Sequence, residues 1–315
     1  MVVTVFALFG IVASFLVLWW SSDHVVDHAL SVARLIGISP FLVGAVLIAV
    51  LTSLPELIVG LASVARGIPT LGVGDIFGSN LCDISIALFI PLFFVKKLAL
   101  GKGGRAGILF MLLLSSISMI VFIGLGATSR WGGAFLIGSY FVALYAMWYR
   151  KEIDVEEYHE EFDVGRDSKR EVALLLGHML LAIGSGLTSV CCGEIVAKSL
   201  GVSAGVLGTL IFSLGTSIPE IAIGINAARR GSTDFVLGSA VGSVLSQALL
   251  IFGIISMVNG APISLTMFSN IPVFVALMYS FLAYRVYSMA SITKFDGVVL
   301  SLLYILFYVF ELGSW

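Results

Sequence analysis

The chain has 315 residues, of which 59% are hydrophobic and only 11% charged, where a soluble globular protein carries about 25% charged residues. A net charge of −2 offers no basic surface to nucleic acid. A mean hydropathy of +1.10 and repeated apolar runs indicate a polytopic helical membrane protein. Cys82, Cys191 and Cys192 all lie in apolar runs, which argues against a disulfide framework or a zinc site.

In chain order, ten spans are expected: 3–20, 40–65, 71–95, 107–126, 132–149, 172–197, 204–228, 234–257, 265–286 and 295–312. The first lacks a basic leader and an A-x-A cleavage pattern, so it is read as a retained span. Just past it, "SSDHVVDH" (21–28) sets Asp23 with Asp27 and His24 with His28 at helical spacing. A solvated helix end is the plain reading and a metal site the sharper one. The charged stretch 150–171 reads as a solvated cytoplasmic loop separating a first five-span unit, 1–149, from a second, 172–315. Its acidic part, 152–163, lacks the spacing of an EF-hand loop. His178 is read as a bonded interface residue, and Glu194 with Lys198 as a surface i,i+4 pair.

With the N-terminus outside, 14 of the 17 basic residues fall in inside loops, and only Arg66, Arg130 and Lys198 remain outside. The positive-inside rule therefore places both termini outside.

The two units are related in sequence. "GISPFLVGAVLIAVLTSLPELIVGLASVARG" (37–67) aligns without a gap onto "GVSAGVLGTLIFSLGTSIPEIAIGINAARRG" (201–231) at an offset of 164, with ten of 31 positions identical. The same offset lays "GDIFGSNLCD" (74–83) on "GSAVGSVLSQ" (238–247). Because each unit has an odd number of spans, the second enters the membrane from the opposite side. Inverted repeats of this kind mark transporters with a site near the midplane.

The repeated residues bear on that site. Proline inside a helix removes one backbone hydrogen bond, so Pro55 and Pro219 are expected to free carbonyls near Thr52 and Thr216. Glu56 and Glu220 follow each threonine by four residues, beside the opening. A carboxylate at the bilayer centre costs on the order of 2.5–3.5 kcal/mol, and two at matched depth are hard to explain as structure. Ser79 with Asp83, and Ser243 with Gln247, stand four apart on the next helix of each unit. Asn80 is expected to bond between helices, and Gly74, Gly78, Gly238 and Gly242 to allow close helix approach. Oxygen-only donors suit hard cations such as Ca²⁺ and Na⁺. The span cores lack lysine and arginine, which argues against an anionic substrate.

At "TSLPE", "GSNLCD", "GTSIPE" and "GSVLSQ" the sequence resembles the calcium/cation antiporter superfamily, specifically its prokaryotic sodium/calcium exchanger family. The resemblance implies an all-α membrane protein of ten transmembrane helices in two inverted five-helix repeats, acting by alternating access in the cell membrane. It implies Ca²⁺ and Na⁺ as transported ions without an organic cofactor, and a chain functional as a monomer. Carried over by motif position, Glu56 and Glu220 are the shared Ca²⁺/Na⁺ ligands, and Thr52 and Thr216 contribute backbone oxygens. Ser53, Ser79, Ser217 and Ser243 help form Na⁺ sites, with Asp83 and Gln247 completing the set. The similar exchangers place an amide at the position of Asp83 and an acid at that of Gln247, the reverse of this chain. Stoichiometry is open at that point, and H⁺/Ca²⁺ or K⁺-dependent exchange stands as the alternative. The paired Thr-Ser before each glutamate favours Na⁺ coupling. Outside the class, a passive cation channel is the rival and a membrane aspartyl protease a weaker one.

Overall fold

A computed structural model describes residues 2–35, 53–100, 104–149, 168–229, 231 and 233–313. In chain order the helices are α1 (Val2–Leu35), α2 (Leu54–Ala65), α3 (Pro69–Asp83), α4 (Ile86–Phe89), α5 (Gly104–Gly124), α6 (Arg130–Tyr149) and α7 (Ser168–Leu200). Next comes α8 (Ala204–Leu207), which runs through a π-helical stretch Gly208–Phe212 into Ser213–Thr216. Then follow α9 (Ile218–Arg229), α10 (Thr233–Leu245), a π-helical stretch Ser246–Ile251, α11 (Phe252–Asn259), α12 (Ile271–Met289) and α13 (Lys294–Gly313).

Eight helical segments among the described residues are long and apolar enough to cross a membrane. They correspond to eight of the ten expected spans. The expected span 40–65 is described only over Leu54–Ala65, and the expected span 132–149 is the twenty-residue α6. Their exposed faces are apolar, as in the row Val5, Phe9, Val12 and Leu16 on α1, which suits a hydrocarbon surround.

Two boundaries move. The loop expected over 150–171 ends earlier, because α7 begins at Ser168. Helix α1 continues far beyond residue 20 to Leu35. At 1.5 Å per residue these helices of 34 and 33 residues are about 50 Å long, well beyond a hydrocarbon core of about 30 Å. Among the described residues α1 and α7 share the most extensive helix–helix contact.

Loops are tied by short antiparallel ladders. Lys97–Ala99 (β1) pairs with Ser291–Thr293 (β4), and Ala127–Thr128 (β2) with Ile263–Ser264 (β3).

The apolar interior has two parts. The larger is built from α3, α5, α6 and α10 to α13, with Phe77, Phe252 and Phe268 stacked edge to face near its centre. The smaller joins α1 and α7 to α2 and α8 through Phe15, Ile58, Val59, Val190 and Phe212. The acids Glu56, Asp75, Asp83 and Glu220 are buried on α2, α3 and α9.

Close approach at Gly74 and Gly78 is as expected. A Cβ on Gly78 would stand 2.3 Å from the Thr209 carbonyl oxygen, so α3 crosses α8 with backbone against backbone. Gly238 and Gly242 differ: among the described residues nothing lies within 4 Å of a Cβ there. The residues that match the α8 crossing by the repeat offset, 41–45, lie outside the described ones.

Candidate cation site

The two Thr-Ser-x-Pro-Glu motifs start helices rather than open them mid-way. Helix α2 begins at Leu54 and α9 at Ile218, so Pro55 and Pro219 occupy the first turn, where a missing N–H breaks no helical bond. The break falls one step earlier, on matched serines: Ser53 has φ −94°, ψ 22° and Ser217 φ −77°, ψ 1°. Both sit in the sparsely allowed bridge region where many functional residues are found. Glu56 and Glu220 therefore each lie in the first turn of a new helix, where unpaired N–H groups favour negative charge. The expected free carbonyl at Thr216 is the end of the preceding segment; Thr52 lies outside the described residues.

Every described residue of the expected set is buried: Ser53, Glu56, Ser79, Asp83, Thr216, Ser217, Glu220, Ser243 and Gln247. Helices α2, α3, α8, α9 and α10 bring them to one seam. Both carboxylate oxygens of Glu56 and of Glu220, Oδ1 of Asp83, Oδ2 of Asp75 and the Ser217 hydroxyl are buried without a hydrogen-bond partner among the described residues. Buried charges are paired or bind metal, and these oxygens have neither among the described residues. No three Asp, Glu, His or Cys side chains among the described residues converge closely enough to hold a metal ion by themselves. Hydroxyls and backbone carbonyls have to complete any shell.

Around these oxygens the polar groups are ordered. Gln247 donates Nε2 to Asp83 Oδ2 at 2.9 Å and accepts Asn80 Nδ2 on Oε1 at 3.0 Å. Tyr279 of α12 donates its hydroxyl to Asn80 Oδ1 at 3.1 Å. Asn80 thus bonds between helices as expected, and both atoms of the Gln247 amide are engaged by protein. Ser53 Oγ lies 3.2 Å from Ser246 Oγ, and Ser79 Oγ 3.2 Å from Thr216 Oγ1.

The sequence reading missed Asp75, which is fully buried and accepts Thr216 Oγ1 at 2.9 Å. The signal was available: Asp75, Ser79 and Asp83 form one i, i+4, i+8 row on α3. The repeat brings out only the last two, because the offset of 164 mates Asp75 with Ser239 rather than with another acid. Ser246 was missed for the same reason, being matched to Cys82.

Away from the seam, the "SSDHVVDH" stretch is helical, and its solvated reading fails at His28. That ring is buried and its Nδ1 lies 2.7 Å from Glu171 Oε2 on α7. The His178 ring stacks between those of His24 and His28, at 4.8 and 5.2 Å, which is the interface role expected for it. Glu194 accepts Lys198 at 2.7 Å as expected, and also Arg66 at 2.8 Å from the loop after α2.

The family model for sodium/calcium exchanger protein matches residues 6–149 and 171–313. The putative antiporter CaxA of Alkalimonas amylolytica is 26% identical over 260 residues, covering 81% of this chain and 80% of its own length. The sodium/calcium exchanger MaX1 of Methanosarcina acetivorans is 24% identical over 331 residues, covering 91% and 93%. A structure of the sodium-calcium exchanger NCX_Mj superposes with a TM-score of 0.63 at 23% identity, covering 96% of this chain and 98% of that one, a likeness of fold. The chain is a multi-pass integral membrane protein and belongs to the sodium/calcium exchanger family.

Proposed function

We propose that this chain is a secondary active antiporter that exchanges Na⁺ for Ca²⁺ across the cell membrane by alternating access. The observation that carries the reading is the pair Glu56 and Glu220, buried in matched first turns with all four carboxylate oxygens unpartnered among the described residues. Ca²⁺ takes about 6–8 oxygens at roughly 2.3–2.6 Å. Two glutamates, the Thr216 carbonyl and its counterpart at Thr52 supply much of that shell. Ser53, Ser79, Ser217 and Ser243 serve Na⁺ in the same seam, with Asp83 held in place by Gln247. Because the glutamates serve both ions, occupancy is exclusive, and exclusive occupancy makes the cycle an exchange rather than a leak.

The layout is two inverted five-helix units, 1–149 and 172–315, with both termini outside and the 150–171 segment in the cytoplasm. Loop pairing supports it: β1 with β4 joins two loops assigned to the inside, and β2 with β3 joins two assigned to the outside. In this reading α1 and α7 are the moving pair. They are bound mostly to each other and touch the remainder through the smaller apolar core. One chain contains every group of the seam, and a functional monomer is part of the proposal.

The test is ⁴⁵Ca²⁺ uptake into proteoliposomes under imposed Na⁺, K⁺ and pH gradients. Uptake driven by outward Na⁺ and absent with outward choline supports the reading. Uptake driven by H⁺ alone or requiring K⁺ replaces Na⁺ coupling with the alternative exchange. Ca²⁺ current without a counter-ion makes the protein a channel.

A further inference from the structure

The two loop ladders are mates under the repeat offset, which lays β4 over 127–129 and β1 over 261–263. Their charge is not matched. The offset sets Lys97 on Ala261, Arg105 on Ser269 and Lys294 on Arg130. The β2–β3 ladder forms from alanine, threonine, isoleucine and serine alone, so lysine is not needed to build a ladder.

Around β1–β4 the cations are exposed and firmly placed. Lys97 stands opposite Thr293, and Lys294 follows that threonine directly. The Leu100 amide donates to the Ala290 carbonyl at 2.9 Å and Thr233 Oγ1 to the Ala99 carbonyl at 3.1 Å, which brace the ladder. Arg105 Nη1 donates to the Tyr287 carbonyl at 3.4 Å, three residues before Ala290. Asp296 does not neutralise this group. It is buried, paired with Arg285 at 2.7 Å, and it accepts the Thr293 amide and hydroxyl. Lys97, Arg105 and Lys294 have no carboxylate partner among the described residues.

Apolar surface flanks the charges. Tyr287, in the last turn of α12, is 70% exposed, and Phe295, in the first turn of α13, is 72% exposed. The Arg229 guanidinium lies 4.5 Å over the half-exposed ring of Phe94. Exposed aromatic rings beside cations suit the bilayer–water interface, where the rings enter the headgroup layer. A soluble anion would use the charges but not the rings.

We propose that the β1–β4 ladder docks an anionic phospholipid, with its phosphate on Lys97, Lys294 and Arg105 and its acyl chains along Tyr287 and Phe295. In the proposed layout this ladder faces the cytoplasm, where the leaflet is negatively charged. None of the contacts is on α1 or α7, so the lipid steadies the frame rather than the pair proposed to move. The docking is independent of which ions the seam carries.

Thermal melting of the purified full chain in neutral detergent tests this, because a ligand that binds the folded state raises the melting temperature. Phosphatidylglycerol is compared with phosphatidylcholine of the same acyl chains, and inorganic phosphate forms a third arm. The proteins are wild type, the double variant Lys97→Gln with Lys294→Gln, the charge-keeping double variant Lys97→Arg with Lys294→Arg, and Arg130→Gln beside the other ladder. The expected result is a larger rise with phosphatidylglycerol than with phosphatidylcholine in wild type. That excess disappears in the glutamine variant and persists in the arginine variant and in Arg130→Gln. Equal rises with both lipids in wild type overturn the proposal and leave the lysines as signals of orientation. A full response to inorganic phosphate alone overturns it by making the ligand a soluble anion. An excess that survives in the glutamine variant, or is lost equally in Arg130→Gln, places the lipid elsewhere and overturns it as well. A glutamine variant without a melting transition makes the lysines structural, which also overturns it.

Discussion

Gln247 donates its amide to Asp83 at 2.9 Å, and the two residues are separated by 164 positions, which is the repeat offset itself. In the proposed inverted-repeat layout, sequence-matched residues that touch each other lie on the axis relating the two motifs. On that axis the acid and the amide can trade places without altering the pair.

The pair can be tested by swapping it. Asp83→Asn and Gln247→Glu, each alone, should lower Na⁺-driven ⁴⁵Ca²⁺ uptake at least about tenfold, since one leaves two amides and the other two acids in a buried contact. A buried hydrogen bond to a charged group is worth about 1.5–3 kcal/mol, consistent with such a loss. The double variant should recover to within about threefold of wild type. Additive losses would place the pair off the axis.

Glu56→Gln and Glu220→Gln should each abolish uptake while the protein remains monodisperse in detergent. Neither carboxylate has a hydrogen-bond partner among the described residues, so neither amide breaks a bond there. Uptake above about a tenth of wild type in either variant would remove that glutamate from the ion path.

Cross-linking tests the proposal that α1 and α7 move as one body. Arg66 and Glu194 join the loop after α2 to α7, whereas His28 and Glu171 join α1 to α7. In a cysteine-free background, a short thiol-specific linker between positions 66 and 194 should stop exchange until it is reduced. The same linker between 28 and 171 should leave most activity, because those helices travel together. Equal inhibition by both links would contradict motion of α1 and α7 as one body.

The crossing of α3 over α8 has a backbone test. Gly78→Ala places a methyl 2.3 Å from the Thr209 carbonyl oxygen, and such overpacking costs about 1–3 kcal/mol. Gly138→Ala on α6 has nothing within 4 Å among the described residues and gains helix propensity of about 0.8–1 kcal/mol. Melting temperatures should move in opposite directions. A neutral Gly78→Ala would mean that the helices are held apart.

What the sequence made legible was whatever the two motifs repeat. Glu56 and Glu220, the serines and the glycine crossing at Gly74 and Gly78 follow from alignment at one offset plus helical spacing. The same filter hid Asp75 and Ser246, whose matched positions carry different chemistry. A break at Ser53 and Ser217 was also beyond a rule that proline opens helices, because proline is equally at home in a first turn. The His28–Glu171 contact joins residues 143 apart in separate apolar runs, and no local pattern encodes it. Helix α1 outran its apolar run because polar residues past position 20 pack against α7 instead of ending the helix.

The most direct measurement is anomalous diffraction from crystals soaked in Ca²⁺ or Sr²⁺. The account predicts one strong peak between Glu56 and Glu220, with an oxygen of each carboxylate at about 2.3–2.6 Å, displaced as Na⁺ is raised. A peak held by only one of them, or carboxylates turned apart with no density between, would contradict it.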